Sequence, residues 1–171
     1  MSDDERVGLY VSLKSLDRLT VLLEGKGIEI PPVFSGLLDQ AWRWLAEGKK
    51  VTLKGVEKTM RSTVVDEQVA RVDSILLNMY LYALSDLAQY FKEGEFESLE
   101  CVEAAVIDFY DFYVAQMHLD NIGGAGAVVF SSAQETAVKE DPIFASELSM
   151  LSDDRAFAKN QVDWSGIEST R

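Results

Sequence analysis

Apolar residues recur at helical spacing through almost the whole chain, and this repeat most constrains what it can fold into. The clearest case runs from Asp66 to Lys92. Val69, Val72, Leu76, Tyr80, Ala83, Leu87 and Tyr90 follow the 3.6-residue period there. Between Ile75 and Leu84 the sequence ILLNMYLYAL is apolar round most of a helix, broken only by Asn78. A helix apolar on most sides needs neighbours on most sides, so this one is expected at the centre of a bundle.

The same period appears on either side. Leu13, Leu16, Leu19, Leu22 and Leu23 predict a first helix, with Ser12 or Ser15 as its cap and Gly25 and Gly27 as its stop. Residues 28–32, Ile-Glu-Ile-Pro-Pro, read as an extended connector, because a residue before proline avoids the helical region. Leu38, Ala41, Trp42 and Leu45 make the stripe of a second helix that ends at Gly48. A short helix from Thr52 to about Arg61 carries Gly55 in its interior, which weakens it. Leu99, Val102, Val106, Phe109, Tyr113 and Met117 lie on one face of a long helix from about Phe96 to His118. Ser131 or Ser132 opens a short helix to Lys139. Asp141 and Pro142 then resemble a cap and first residue, with Ile143, Leu148, Leu151 and Phe157 as anchors of the helix that follows. Residues 1–10 and 162–171 are expected to be irregular ends, with Trp164 pinned to the core. The expected fold is all-α, a single-domain bundle of about six or seven helices. A chain of this length buries roughly 70% of its unfolded surface and needs no covalent staple.

Charge narrows the function classes. Residues 1–65 carry ten Lys and Arg against nine Asp and Glu, whereas residues 66–171 carry six against twenty, a net of −14. This acidity lies on helical segments, so it is a folded surface and not a disordered tail. Such a surface repels nucleic acid and anionic membrane and attracts basic proteins. The N-terminus lacks the basic and apolar regions of a secretion signal. A nearly apolar run of ten residues is too short to span a bilayer. Cys101 is the single cysteine, which excludes an internal disulfide and fits a reducing compartment. A cytoplasmic location is expected.

No catalytic motif accompanies the charge. His118 is the single histidine and sits at a helix end, where capping or a surface contact accounts for it. Cys101 has Glu97, Glu100 and Asp108 nearby, which suppress a thiolate, so it reads as a packing residue. Asp108, Asp111 and His118 share one helical side, but no His-x-x-x-His pair or Glu-x-x-His motif accompanies them, and a solvated acidic face is the simpler account. Gly123, Gly124, Ala125 and Gly126 lack the Lys and Ser/Thr of a phosphate loop and read as a connector. No cofactor or metal is expected. The residues expected to meet a partner are Glu93, Glu95, Glu97, Glu100, Asp108 and Asp111, with Phe112 as an exposed aromatic anchor beside them.

Three segments carry a resemblance: LLDQAWRWLAEGKK (37–50), YALSDLAQYFKEGEFE (82–97) and KEDPIFASELSML (139–151). Together with the acidity they resemble the helical immunity proteins of bacterial toxin systems. Their order is also similar to an uncharacterised all-helical bacterial family with a Trp-bearing second helix and a late Asn/Asp-Pro helix start. The immunity resemblance implies a protein that binds and neutralises a cognate toxin, one with a basic surface, without chemistry of its own. Two other functions stay open. One is a small helical enzyme or ligand-binding domain with a pocket among Trp42, Tyr80, Tyr82 and Tyr110. The other is a structural adaptor or a self-associating protein.

Overall fold

Polar side chains set where three of the helices begin. The computed structural model describes residues 1–66, 71–122 and 131–171. Helix α1 spans Asp3–Gly25 and starts ten residues earlier than its leucines suggest. Ser2 accepts the Glu5 N–H, and the Glu5 carboxylate accepts the Ser2 N–H, which closes a capping box. Asp3, Asp4 and Glu5 also sit where the helix dipole favours anions. The N-terminal stretch is therefore helical and not irregular. Ser12 and Ser15 lie buried inside α1 and are not caps.

Helix α2 spans Pro32–Glu47, with Pro32 in its first turn. It stops at Gly48, whose φ of 69° is left-handed and suits a residue without Cβ. Helix α3 is Val56–Thr63. Gly55 precedes it with φ 85°, so it enters the helix and does not interrupt it. Thr52 is not its cap; the Thr52 N–H instead donates to Gln40 Oε1 at 2.9 Å. Helix α4 is Val72–Glu93 and ends at Gly94. It begins six residues later than the periodicity predicts, and Val69 lies outside the described residues.

Helix α5 is Glu97–Ile122, α6 is Ser132–Lys139 and α7 is Pro142–Lys159. Ser131 and Gln134 form a second capping box. Asp141 accepts the Ile143 N–H at 2.9 Å, and Pro142 follows as the first residue of α7. A 3₁₀ turn, Ile167–Thr170, closes the chain. Among the described residues there are seven α-helices and no strand, an all-α single-domain bundle.

The helices with most neighbours are α1 and α5, not α4. Helix α1 packs on α2, α4, α5 and α7, and Leu9, Leu13, Leu16, Leu19 and Leu23 are fully buried. Helix α4 packs chiefly on α5 and also on α1 and α3, which leaves Tyr82 47% exposed. The polar break in its apolar run has a structural reason. Asn78 is buried and clamps the chain before α4: its Nδ2 donates to the Val65 carbonyl at 2.7 Å, and its Oδ1 accepts the Val65 N–H at 3.0 Å. Both backbone groups of Val65 are thereby satisfied next to the core.

The end of the chain is held down. Trp164 and Ile167 are buried, Trp164 lies edge-on to Tyr10, and Arg171 Nε donates to Asp17 Oδ2 at 3.0 Å. Arg171 also pairs with Asp39 of α2.

Candidate protein-binding surface

The acidic surface follows from the register of α5. Leu99, Val102, Val106, Phe109, Tyr110 and Val114 fill its inner face. That turns Glu97, Glu100, Asp108 and Asp111 outward, and all four are exposed. Glu93 at the end of α4 and Glu95 in the α4–α5 corner are exposed as well. Among the described residues none of these six carboxylates forms an ion pair. Glu97 and Glu100 lie in the first turn of α5, where the helix dipole favours them. Asp108 and Asp111 lie beyond that turn, and the dipole does not account for them. Glu100 borders a cleft of 310 Å³ with Glu103, and Arg155 and Lys159 of α7 face it.

Phe112 departs from the expectation. It is half-buried and packed against the core, so it is no free anchor. Tyr110 takes an inner position on α5 where Tyr113 was expected, and Tyr113 is only half-buried. Cys101 is exposed and does no packing. His118 makes a surface contact: its Nε2 lies 3.1 Å from Asp141 Oδ2, tying the end of α5 to the cap of α7. Among the described residues no group of three or more His, Cys, Asp and Glu side chains is placed to hold a metal. Gly123, Gly124, Ala125 and Gly126 lie outside the described residues.

The four aromatic residues considered for a pocket do not share one. Tyr80 and Tyr110 are buried, and Tyr82 stands on the surface. The Tyr80 hydroxyl shares a 2.8 Å hydrogen bond with Thr20, and burial pushes its pKa up to about 12. Trp42 is packed in the core with its Nε1 donating to Asp17 at 2.9 Å. It borders a cleft only with polar and charged side chains: Asp39, Arg43, Glu168 and Arg171.

Beneath α7 lies a polar cluster that periodicity did not reveal. Glu147 is fully buried. Arg18 of α1 donates to both its oxygens, through Nη2 at 2.8 Å and Nε at 3.0 Å. The same guanidinium donates to Asp154 at 2.6 Å and to Ser15 Oγ at 3.1 Å. The Tyr110 side chain stands close to Glu147 and favours its ionised form. Phe144, Glu147, Leu151 and Ala158 make the buried stripe of α7, whereas Ile143, Leu148 and Phe157 are exposed. Of the four expected anchors only Leu151 is buried. The spacing of Glu147 from Phe144 and Leu151 was the available signal.

One guanidinium thus serves two carboxylates. Burial raises the pKa of Glu147 above its usual 4.5, Asp154 adds to the rise, and Arg18 opposes it. A carboxyl whose pKa is raised by folding contributes most below 4.5, and that contribution is lost as the pH climbs through the folded value. The urea midpoint of Glu147→Gln should therefore gain on wild type from about pH 4 to about pH 8. A constant or opposite difference across that range would contradict the raised pKa.

Among the described residues no helix is long and apolar enough to cross a membrane. Comparison of the chain with protein-family models, curated proteins and solved structures gives no match.

Proposed function

We propose that the chain is an immunity-type protein that binds and neutralises a cognate bacterial toxin through a protein–protein interface. The observation that carries this reading is the row of exposed, unpaired carboxylates along α5 and its N-terminal approach. Unpaired charge on a rigid helix projects a field that like-charged ligands avoid and basic proteins follow. A toxin whose own substrate is anionic, such as a nuclease, presents the matching basic surface. Long-range attraction raises the association rate, and short-range packing sets the lifetime of the complex. His118 and Cys101 have no chemical role in this account.

Reversing charge at Asp108 and Asp111, as Asp108→Lys with Asp111→Lys, tests it. Association with the toxin should slow and lose much of its salt dependence. Stability should move by less than about 0.5 kcal/mol, since both side chains are exposed and unpaired. Stopped-flow association across a salt series separates these effects. Unchanged rates in a stably folded double variant would remove α5 from the encounter surface.

A further inference from the structure

The outer face of α7 breaks the charge pattern of the rest of the chain. From Pro142 to Ser152 the one charged residue is Glu147, and it is buried. The solvent side of these three turns therefore presents no formal charge, on a chain of net charge −13. It presents apolar surface instead. Ile143 is 36% exposed, Leu148 41% and Met150 36%, and Phe157, beyond the uncharged stretch and with its ring stacked on Tyr10, is 43% exposed.

The arrangement is a ridge beside a groove. Ile143, Met150 and Phe157 are seven residues apart, so they fall on nearly one line along the helix. Beside that line the exposed positions up to Ser152 are small, Ala145, Ser146, Ser149 and Ser152, and Asp153 and Ala156 follow. A row of large side chains next to a row of small ones suits ridge-into-groove packing of another helix. Charge depletion with exposed Met is also the composition of an interface core. Below, Arg18 fixes the helix by bonding both Glu147 and Asp154, so the face is rigid.

Resting on the reading of the chain as a toxin-binding protein, we infer that this face of α7 receives an amphipathic helix of the partner, an apolar ridge bordered by Lys and Arg. Charge selects this occupant. Exposed Glu140 and Asp153 stand at the two ends of the uncharged stretch. Helix α5, with its unpaired Asp108 and Asp111, lies alongside and is joined to α7 through Glu103–Arg155 and His118–Asp141. A second copy would bring the same net negative charge against these carboxylates, whereas a basic-edged helix neutralises them.

The probe is a synthetic peptide of about 18 residues, Leu and Lys patterned as an amphipathic helix, with a scrambled peptide of equal composition as control. Both are titrated into the full chain by fluorescence anisotropy. The patterned peptide should bind at least about tenfold more tightly than the scrambled one, and Ile143→Ser with Met150→Ser should remove about that preference. Ser146→Gln fills the groove, keeps a good helix former and should weaken the patterned peptide alone. Circular dichroism confirms that each variant is folded. Equal binding of both peptides, untouched by the α7 variants, would overturn the α7 site and leave acidic steering standing. Binding of neither peptide would overturn both readings. A dimer in analytical ultracentrifugation that Met150→Ser disperses would also overturn this proposal, by making a second copy the occupant.

Discussion

Replacing Arg18 with methionine is expected to cost about 3–5 kcal/mol of stability, one of the two largest single effects in the molecule. The guanidinium is the cation held by Glu147 and Asp154, and Glu147 is fully buried. Methionine keeps most of the stem's volume and removes the charge, leaving a buried carboxylate without its counter-ion. Two controls make the cause visible. The cost should shrink as the pH falls, because Glu147, whose pKa burial raises, then takes up a proton. The double variant Arg18→Met, Glu147→Leu should recover most of the loss, since an apolar pair replaces an ion pair at little cost. Asp154 retains some exposure and can turn to water. Urea unfolding of the wild type and the two variants at two pH values measures all of this. A near-neutral Arg18→Met at pH 7 would show that the cluster does not hold α7 to α1.

The second large effect is at Trp42. Trp42→Ala should cost about 3–5 kcal/mol, from lost burial plus the cavity left behind. Its indole is 1% exposed and edge-on to Tyr10 at 5.7 Å between ring centres. It also donates to Asp17, which receives Arg171 from the end of the chain. The substitution therefore removes core and weakens the anchorage of the tail together. Trp42→Phe keeps most of the volume and loses the hydrogen bond, and should cost less than the alanine. Equal costs for the two would place the role of Trp42 in the Asp17 bond instead of in packing. Thermal unfolding followed by far-ultraviolet circular dichroism gives the comparison.

Where backbone chemistry is local, the sequence was legible. Gly48 and Gly94 end helices where their positions predict, and Asp141–Pro142 begins one. The start of α1 was missed because its first turn is all polar, so apolar periodicity begins only after the Ser2–Glu5 capping box has closed. Which face of α7 is buried was not legible from apolar residues. Ile143, Phe144, Leu148, Met150 and Leu151 surround the helix, and the choice among them is made by Arg18 on a helix more than a hundred positions away. The many neighbours of α1 were hidden for a related reason. Its buried Ser12 and Ser15 look polar in sequence, yet Ser15 satisfies itself by donating to the Val11 carbonyl at 2.9 Å. On the candidate surface the outward carboxylates of α5 followed from the helical wheel, whereas Phe112 did not. At its angle on the wheel an aromatic ring either reaches the core or stands clear, and packing draws this one inward.

Neutralisation itself is the most direct measurement. The basic protein recovered with the chain as bait is expressed alone and together with it, and cell growth is followed. The account predicts that the recovered protein arrests growth and that co-expression of the wild-type chain restores it. It also predicts that Asp108→Lys with Asp111→Lys, stably folded, restores growth less well. A recovered partner that is harmless alone, or that stays toxic beside a chain it binds, would contradict the immunity reading.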